Sequence, residues 1–140
     1  MALVLQIHAS MNQPLLKKKR ILVIDPDHDF CKSVSLFLEE NYSVDIRKGL
    51  DYIDHTIILK KIDLLIIEAD FADKNLVDLL KRLKENHGNL KILIMYTYFP
   101  SDHEIERQIG KGVDDMIAKP FDVYLLKKKV DKLLTPIKNA

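Results

Sequence analysis

The sequence predicts an α/β domain in which a five-stranded parallel sheet is covered by helices on both faces. Four short apolar runs bounded by polar or turn residues, at 21–24, 62–67, 92–96 and 113–117, are typical of buried strands. The segments between them carry apolar residues at helical spacing. Strands that are buried on both faces and alternate with helices predict a parallel sheet with helices packed on each side.

Five β-α units follow one another along the chain. The stretch 43–47 is a weaker strand, which the spacing of the units predicts. The helical segments are marked by Phe30, Val34, Phe37 and Leu38; by Leu50, Ile53 and Ile57; by Leu76, Leu79, Leu80 and Leu83; by Ile105 and Ile109; and by Val123, Leu126, Val130, Leu133 and Leu134. Right-handed crossovers bring the carboxyl ends of the strands to one edge of the sheet, where such folds bind ligands. The residues that end each strand are therefore the functional candidates.

Composition limits the classes of function. A length of 140 residues fits one domain, which we predict at 20–135 between tails at 1–19 and 136–140. Because 22 basic residues face 21 acidic ones, the net charge of +1 argues against binding of nucleic acid or a membrane by this domain. The single cysteine, Cys31, excludes a disulfide framework and favours the cytoplasm. No apolar run reaches the roughly 18 residues of a membrane span.

The strand ends carry residues from which a polar site can be built. They are Asp25 and Asp27 after the first strand, Glu68 at the end of the third, Thr97 at the end of the fourth and Lys119 at the end of the fifth. Carboxylates, a hydroxyl and an amine at one sheet edge suit the binding of a cation, or of a phosphoryl group beside a cation. The alternative for any one of them is a polar rim in which the acids and the lysine satisfy one another.

The segments around these strand ends are similar to one known family. They read ILVIDPDHDF at 21–30, IDLLIIEAD at 62–70, KILIMYT at 91–97 and GVDDMIAKPF at 112–121. Over 19–134 the chain resembles the receiver domains of two-component response regulators, which have the CheY-like, or flavodoxin-like, fold. The resemblance implies a doubly wound sheet of order 2-1-3-4-5, a bacterial signalling module that is not an enzyme, and a cis peptide bond between Lys119 and Pro120.

The resemblance also implies roles for the strand-end residues. In such domains two adjacent acids after the first strand hold Mg²⁺, and an aspartate ending the third strand accepts a phosphoryl group from a histidine kinase. Asp25 matches the first acid, and Thr97 and Lys119 match the hydroxyl and the amine that contact the phosphoryl oxygens. Met116 stands where the family usually has an aromatic switch residue, although methionine more often serves to fill gaps in packing.

Two positions depart from the family pattern. Pro26 replaces the direct metal ligand and offers no carboxylate and no backbone donor. Since Mg²⁺ requires oxygen ligands in near-octahedral geometry, we expect no bound metal, or only weak binding by Asp25, Asp27 and Glu68. Glu68 stands at the phosphoacceptor position and extends its carboxylate by one C–C bond, about 1.5 Å. Phosphoryl transfer depends on positioning, and a misplacement of about 1 Å can cost about a hundredfold in rate.

The prediction is an atypical receiver, or pseudo-receiver, that acts through protein–protein contacts with little or no phosphorylation and without a cofactor. Lys119 is expected to form a direct ion pair with Glu68 or Asp25, because no cation competes for these acids. The expected partners are a histidine kinase or a downstream output protein or domain. A homodimer would use helix 4, strand 5 and helix 5.

Two alternatives stay open. The first is an ordinary phosphoaccepting receiver that uses Glu68 or Asp70 with weak magnesium binding. The second, from another class, is a small flavodoxin-like enzyme that binds a nucleotide or cofactor. That enzyme would need a loop rich in glycine, serine or threonine after the first strand to hold phosphate. The loop at 25–29 is acidic and contains no glycine, which disfavours the enzyme.

Overall fold

A five-stranded parallel sheet forms the centre of the computed structural model, which describes residues 17–69, 74–97 and 103–135. The strands are β1 (Arg20–Ile24), β2 (Ser43–Arg47), β3 (Leu64–Glu68), β4 (Lys91–Thr97) and β5 (Asp115–Lys119). They pair in the order β2-β1-β3-β4-β5, which confirms the expected sheet. The central strand β3 is buried along its whole length, as a strand between two helical layers must be.

Within the described residues, five helices connect the strands and cover both faces of the sheet. They are α1 (His28–Leu38), α2 (Ile53–Lys60), α3 (Lys74–Asn86), α4 (His103–Gly112) and α5 (Val123–Leu134). Helices α1 and α5 bury Val34 and Val130 against one face. Helices α2, α3 and α4 bury Ile57, Leu80 and Ile109 against the other. The periodicity therefore identified the core-facing side of each helix.

Most predicted strand ends lie one or two residues from the observed ones, and three differences have a clear structural reason. Strand β5 begins at Asp115 rather than at residue 113, because its pairing with β4 starts there. Strand β3 begins at Leu64 rather than at residue 62, because Ile62 still belongs to the end of α2, where its backbone N–H donates to the carbonyl of Ile57. Leu50 precedes α2 instead of lying in it, and its side chain is partly exposed.

Several sequence predictions concern residues outside the described part of the chain. Asp70, the alternative phosphoacceptor, lies in the gap at 70–73, and the tails at 1–16 and 136–140 are also outside it. The side chain of Ile105 is also outside the described part, whereas Ile109 on the same helix is buried. Across the described ranges, no helix is long and apolar enough to cross a bilayer.

The register of the sheet places the polar strand ends side by side. Strands β1 and β3 are paired up to the residues just before Asp25 and Glu68, so these two acids are neighbours at the same edge. Thr97 is the direct register partner of Lys119 across β4 and β5. The carboxyl edge of the sheet therefore brings together residues from four strands, as the sequence predicts.

Candidate functional site

An ion-pair cluster of Lys119 with Asp25 and Glu68 forms the centre of the candidate site. Lys119 is the last residue of β5, Glu68 is the last residue of β3, and Asp25 follows β1. Lys119 Nζ lies 2.7 Å from Asp25 Oδ2 and also contacts Glu68 Oε2. This geometry confirms the predicted ion pair, and it includes both acids rather than one.

The ion-pair cluster is largely shielded from water. The side chains of Glu68 and Asp25 are 1% and 3% exposed, and that of Lys119 is 23% exposed. Burial by itself lowers the pKa of Lys119, but the hydrogen bonds to Asp25 and Glu68 outweigh it and hold the pKa above its ordinary value. The amine is therefore protonated at neutral pH and supplies the positive charge of the cluster.

Two aromatic rings pack beside the Lys119 amine. Nζ lies 4.3 Å from the centroid of the Phe30 ring, within the range of a cation–π interaction. Phe30 in turn packs edge-on against Phe121, with 5.9 Å between the ring centroids. Sequence reasoning assigned Phe30 to the apolar stripe of α1 and missed this contact. The sequence contained one indication of an aromatic environment: the Lys-Pro-Phe segment at 119–121 places a phenylalanine two residues after Lys119.

Both oxygens of Asp25 have partners within the protein. Oδ2 accepts from Lys119 Nζ, and Oδ1 accepts from the backbone N–H of Asp27 at 2.8 Å. Asp27 is the N-cap of α1, and its exposed carboxylate accepts from the backbone N–H of Phe30 at 3.1 Å. The two acids of the first loop are thus joined to the lysine and to the start of α1.

Pro26 lies between these two acids and is exposed. With Ile24, Ile67 and Leu76 it lines an apolar cleft of about 260 Å³ beside the ion-pair cluster. The position adds apolar surface next to Asp25 and supplies no metal donor. In the residues that the structure describes, no group of three or more His, Cys, Asp or Glu side chains is arranged to hold a metal ion.

Thr97 and Pro120 lie on the open side of the ion-pair cluster. Together with Asp27 and Lys119 they line a shallow cleft that the rings of Phe30 and Phe121 complete. Thr97 is exposed at the end of β4. The Lys119–Pro120 peptide bond is cis, as the resemblance implies. The roles of Thr97 and Pro120 in contacting a phosphoryl group stay predictions.

Met116 lies away from the ion-pair cluster, on the side of β5 that faces α4. It is half-buried and packs against the core formed by α2, α3 and α4. A Cβ atom added to Gly110 would lie 3.4 Å from the Met116 sulfur, so the side chain fits closely under that helix. This position agrees with a packing role, and a role for Met116 as a switch residue stays a prediction.

Comparison with known families covers most of the chain. The family model for the response regulator receiver domain matches residues 21–131. The chain belongs to this family. It is a receiver domain of two-component signalling, and the match favours this function over the flavodoxin-like enzyme. Receiver domains interact with kinases and output domains, and the family is generally a signalling family rather than an enzymatic one.

Individual relatives of this receiver are bacterial. It is 29% identical over 122 residues to the transcriptional regulatory protein CpxR of Escherichia coli K12. This alignment covers 82% of this chain and 49% of CpxR. It is 25% identical over 126 residues to sporulation initiation phosphotransferase F of Bacillus subtilis, covering 89% and 99%. A two-component response regulator structure from Clostridium difficile has a TM-score of 0.71 at 30% identity, covering 86% of this chain and 98% of that one. The chain spans about half the length of the first curated relatives, 49% of CpxR and 55% of ArlR.

Proposed function

We propose that this receiver signals without phosphorylation, through contacts with other proteins. The observation that carries the proposal is the ion-pair cluster. Lys119, which matches the amine that contacts phosphoryl oxygens in the family, is already paired with the carboxylate at the phosphoacceptor position. Glu68 reaches about one C–C bond further than an aspartate would, and that reach places its carboxylate against the amine.

The oxygen donors near Asp25 do not fit Mg²⁺. Such a site needs several oxygen ligands in near-octahedral geometry at about 2.0–2.1 Å. Asp25 uses one oxygen for the Asp27 backbone and the other for Lys119, Pro26 offers no side-chain oxygen, and the Asp27 carboxylate caps α1. We therefore propose no phosphoryl transfer step and no role for a bound metal in this receiver.

The proposed consequence is a single resting conformation of the output surface. A ligand can shift a conformational equilibrium only if it binds the two states with different affinity. The Glu68 carboxylate, paired with Lys119, imitates part of the charge of an acyl phosphate and, unlike a phosphoryl group, is not added or removed by a kinase. The surface formed by α4, β5 and α5 then presents one arrangement to its partners.

The partners we propose are a histidine kinase, a downstream output protein, or a second copy of the chain bound through α4, β5 and α5. The exposed lysines of α5, Lys128 and Lys132, give this surface a basic edge, since Lys127 and Lys129 are paired with Asp131 and Asp115. We propose no enzymatic activity. A cytoplasmic location stays a prediction that depends on the single cysteine.

The experiment is exposure of the full chain to acetyl phosphate with Mg²⁺, followed by intact-mass spectrometry. We expect no adduct with the mass of a phosphoryl group. The matched comparison is the variant that carries both Pro26→Asp and Glu68→Asp, which restores the two family residues. That variant should gain a Mg²⁺-dependent adduct, and its amide spectrum should shift around residues 25, 68 and 97.

A stable adduct on the native chain would contradict the proposal. Its loss in Glu68→Ala would establish an ordinary receiver that uses Glu68, and its loss only in Asp70→Ala would move the acceptor to Asp70. Amide spectra of residues 97–121 supply a second measurement. They should stay unchanged when Mg²⁺ and a phosphoryl analogue are added, and large shifts there would indicate a working switch.

A further inference from the structure

Helix α2 presents an apolar surface to solvent on the side opposite its buried face. Ile58 and Leu59 are 65% and 66% exposed, and Tyr52, at the N-cap two turns before Leu59, is 82% exposed. The core-facing side carries Ile53 and Ile57. A helix at the surface of a domain normally has polar residues on its outer side, and clustered exposed apolar residues mark a surface that another segment covers. We refer to Tyr52, Ile58 and Leu59 as the α2 surface.

The chain enters the sheet close to the end of the α2 surface. The backbone N–H of Arg20 donates to Asp63 Oδ2 at 2.8 Å, and the backbone N–H of Asp63 donates to the carbonyl of Arg20 at 2.8 Å. Asp63 follows closely on Lys60, the last residue of α2. Residues 1–16, which precede the described part, therefore join it beside the helix end that carries Ile58 and Leu59.

The sequence that precedes this point contains a short apolar segment. Residues 2–7 read ALVLQI, which contains five apolar residues and no charge. An uncharged apolar segment of about six residues is an aggregation hazard when it is left in water. Residues 8–16 span at most about 30 Å when extended, whereas the eight residues of α2 span about 12 Å. The segment can therefore reach every part of the α2 surface.

We propose that residues 2–7 pack against the α2 surface of the same chain. A tether this short gives the segment an effective concentration in the millimolar range at α2, which a second copy or a separate partner has to match by affinity. The contact involves the sheet face opposite α5, and it depends neither on Glu68 nor on phosphorylation. A negative result for this contact would therefore leave the proposed function unaffected, and a phosphorylated Glu68 would leave this contact unaffected.

The test is the rate at which a maleimide reagent labels a cysteine placed within the α2 surface of the full chain. His55→Cys serves as the probe, because His55 lies one turn before Ile58 and Leu59 and its replacement leaves the apolar side chains in place. The native Cys31 does not interfere: it is 1% exposed, and burial followed by the negative charge of Asp25 raises the pKa of its thiol to about 11.

Labelling is compared with and without the double change Leu3→Ser and Leu5→Ser, which removes apolar contacts and adds no charge. We expect the His55→Cys thiol to react at least about tenfold faster when the segment is disrupted, which corresponds to about 1.4 kcal/mol of packing free energy. Leu36→Cys on α1, where the native residue is 71% exposed, is the matched control, and its rate should not change. Circular dichroism on each variant verifies that the fold is intact.

Equal labelling rates at His55→Cys in both backgrounds would overturn the proposal. Protection that grows with protein concentration would also overturn it, in favour of a second copy of the chain on the α2 surface. Protection that is independent of concentration and is lost with Leu3→Ser and Leu5→Ser supports packing within one chain.

Discussion

Replacing Lys119 with methionine removes the only cation from the ion-pair cluster and leaves two buried carboxylates side by side. Removing one partner of a buried ion pair costs about 3–5 kcal/mol, because the remaining charge has lost both its solvent and its counter-ion. Asp25 and Glu68 are 3% and 1% exposed, whereas the Lys119 side chain is 23% exposed and partly solvated. We therefore expect Lys119→Met to lower the free energy of unfolding by about 3 kcal/mol, at the lower end of that range.

Other losses in this variant are small by comparison. Methionine keeps a similar length and an apolar stem, so packing against Phe30 is largely retained. The cation–π contact over the Phe30 ring, at 4.3 Å, contributes about 0.5–1 kcal/mol more at a partly exposed position. For a domain of this size, about 3 kcal/mol corresponds to a fall in Tm of about 10 °C.

Lys129→Met is the matched control. Lys129 is 26% exposed, nearly the same as Lys119, and its amine lies 3.1 Å from Asp115 Oδ1. The difference is that Asp115 is 30% exposed and stays solvated when its partner is removed. We expect this variant to lose less than about 1 kcal/mol. Urea unfolding followed by circular dichroism measures both variants.

The native chain should lose stability at high pH, and Lys119→Met should lack this loss. In the native chain the raised pKa of Lys119 contributes stability that is present below about pH 10.4 and is lost as the pH rises through the folded-state value. The reasoning is refuted if Lys119→Met costs no more than Lys129→Met, or if adding Glu68→Gln to it restores nothing.

Three further predictions concern side chains that are not members of the ion-pair cluster. Tyr42→Phe should lower the free energy of unfolding, measured in urea, by about 1 kcal/mol, because the hydroxyl donates to Asp131 at 2.5 Å. Burial and this hydrogen bond raise the pKa of Tyr42, so the stability difference between the native chain and the variant should decrease above about pH 10. Asp54→Asn should destabilise the chain at neutral pH but not in acid. Hydrogen bonds from His87, and secondly from Arg82, lower the pKa of Asp54, so their contribution to stability disappears as the pH falls through the folded-state pKa. Thermal melts at several pH values measure this difference. Asp27→Ala should cost about 1 kcal/mol in the same melts through loss of the α1 cap, whereas Asp27→Asn should cost little.

The sheet could be predicted from the sequence because its signal is local. Buried strands such as β3 are continuous apolar runs, and their order follows from the crossover rule and the family resemblance. The errors arose where apolar residues at a strand end serve another element. Ile62 is apolar and buried, but it closes the end of α2, and Val113 packs against the core of α2, α3 and α4 before β5 begins. Backbone pairing, which the sequence does not display, decides these boundaries.

The charged residues of the candidate site could be predicted from the sequence, but the positions of the side chains around them could be predicted only in part. A lysine and two acids at the same edge of the sheet are expected to pair if they are buried, so an ion pair of Lys119 with Asp25 or Glu68 follows from the sequence, whereas its contact with both acids does not. The placement of Phe30 over the amine does not, because an aromatic residue in the first turn of α1 fits the core stripe equally well. The outer side of α2 was missed for a similar reason, since Ile58 and Leu59 continue the apolar run of its buried face.

Pro26 and Glu68, the two departures from the family pattern, both affect how the negative charge of the site is balanced. An ordinary receiver, by resemblance, gathers three carboxylates around one lysine, and the excess negative charge favours a divalent cation. Here Pro26 stands in place of one acid, and the exposed Asp27 is held at the start of α1, so within the described ranges Asp25 and Glu68 are the acids buried beside Lys119. Both contact the Lys119 amine, and Asp25 also accepts from the backbone N–H of Asp27. The proposal that this receiver signals without phosphorylation therefore rests on both positions together, because Pro26 offers no carboxylate to a metal and Glu68 contacts the lysine that would contact a phosphoryl group.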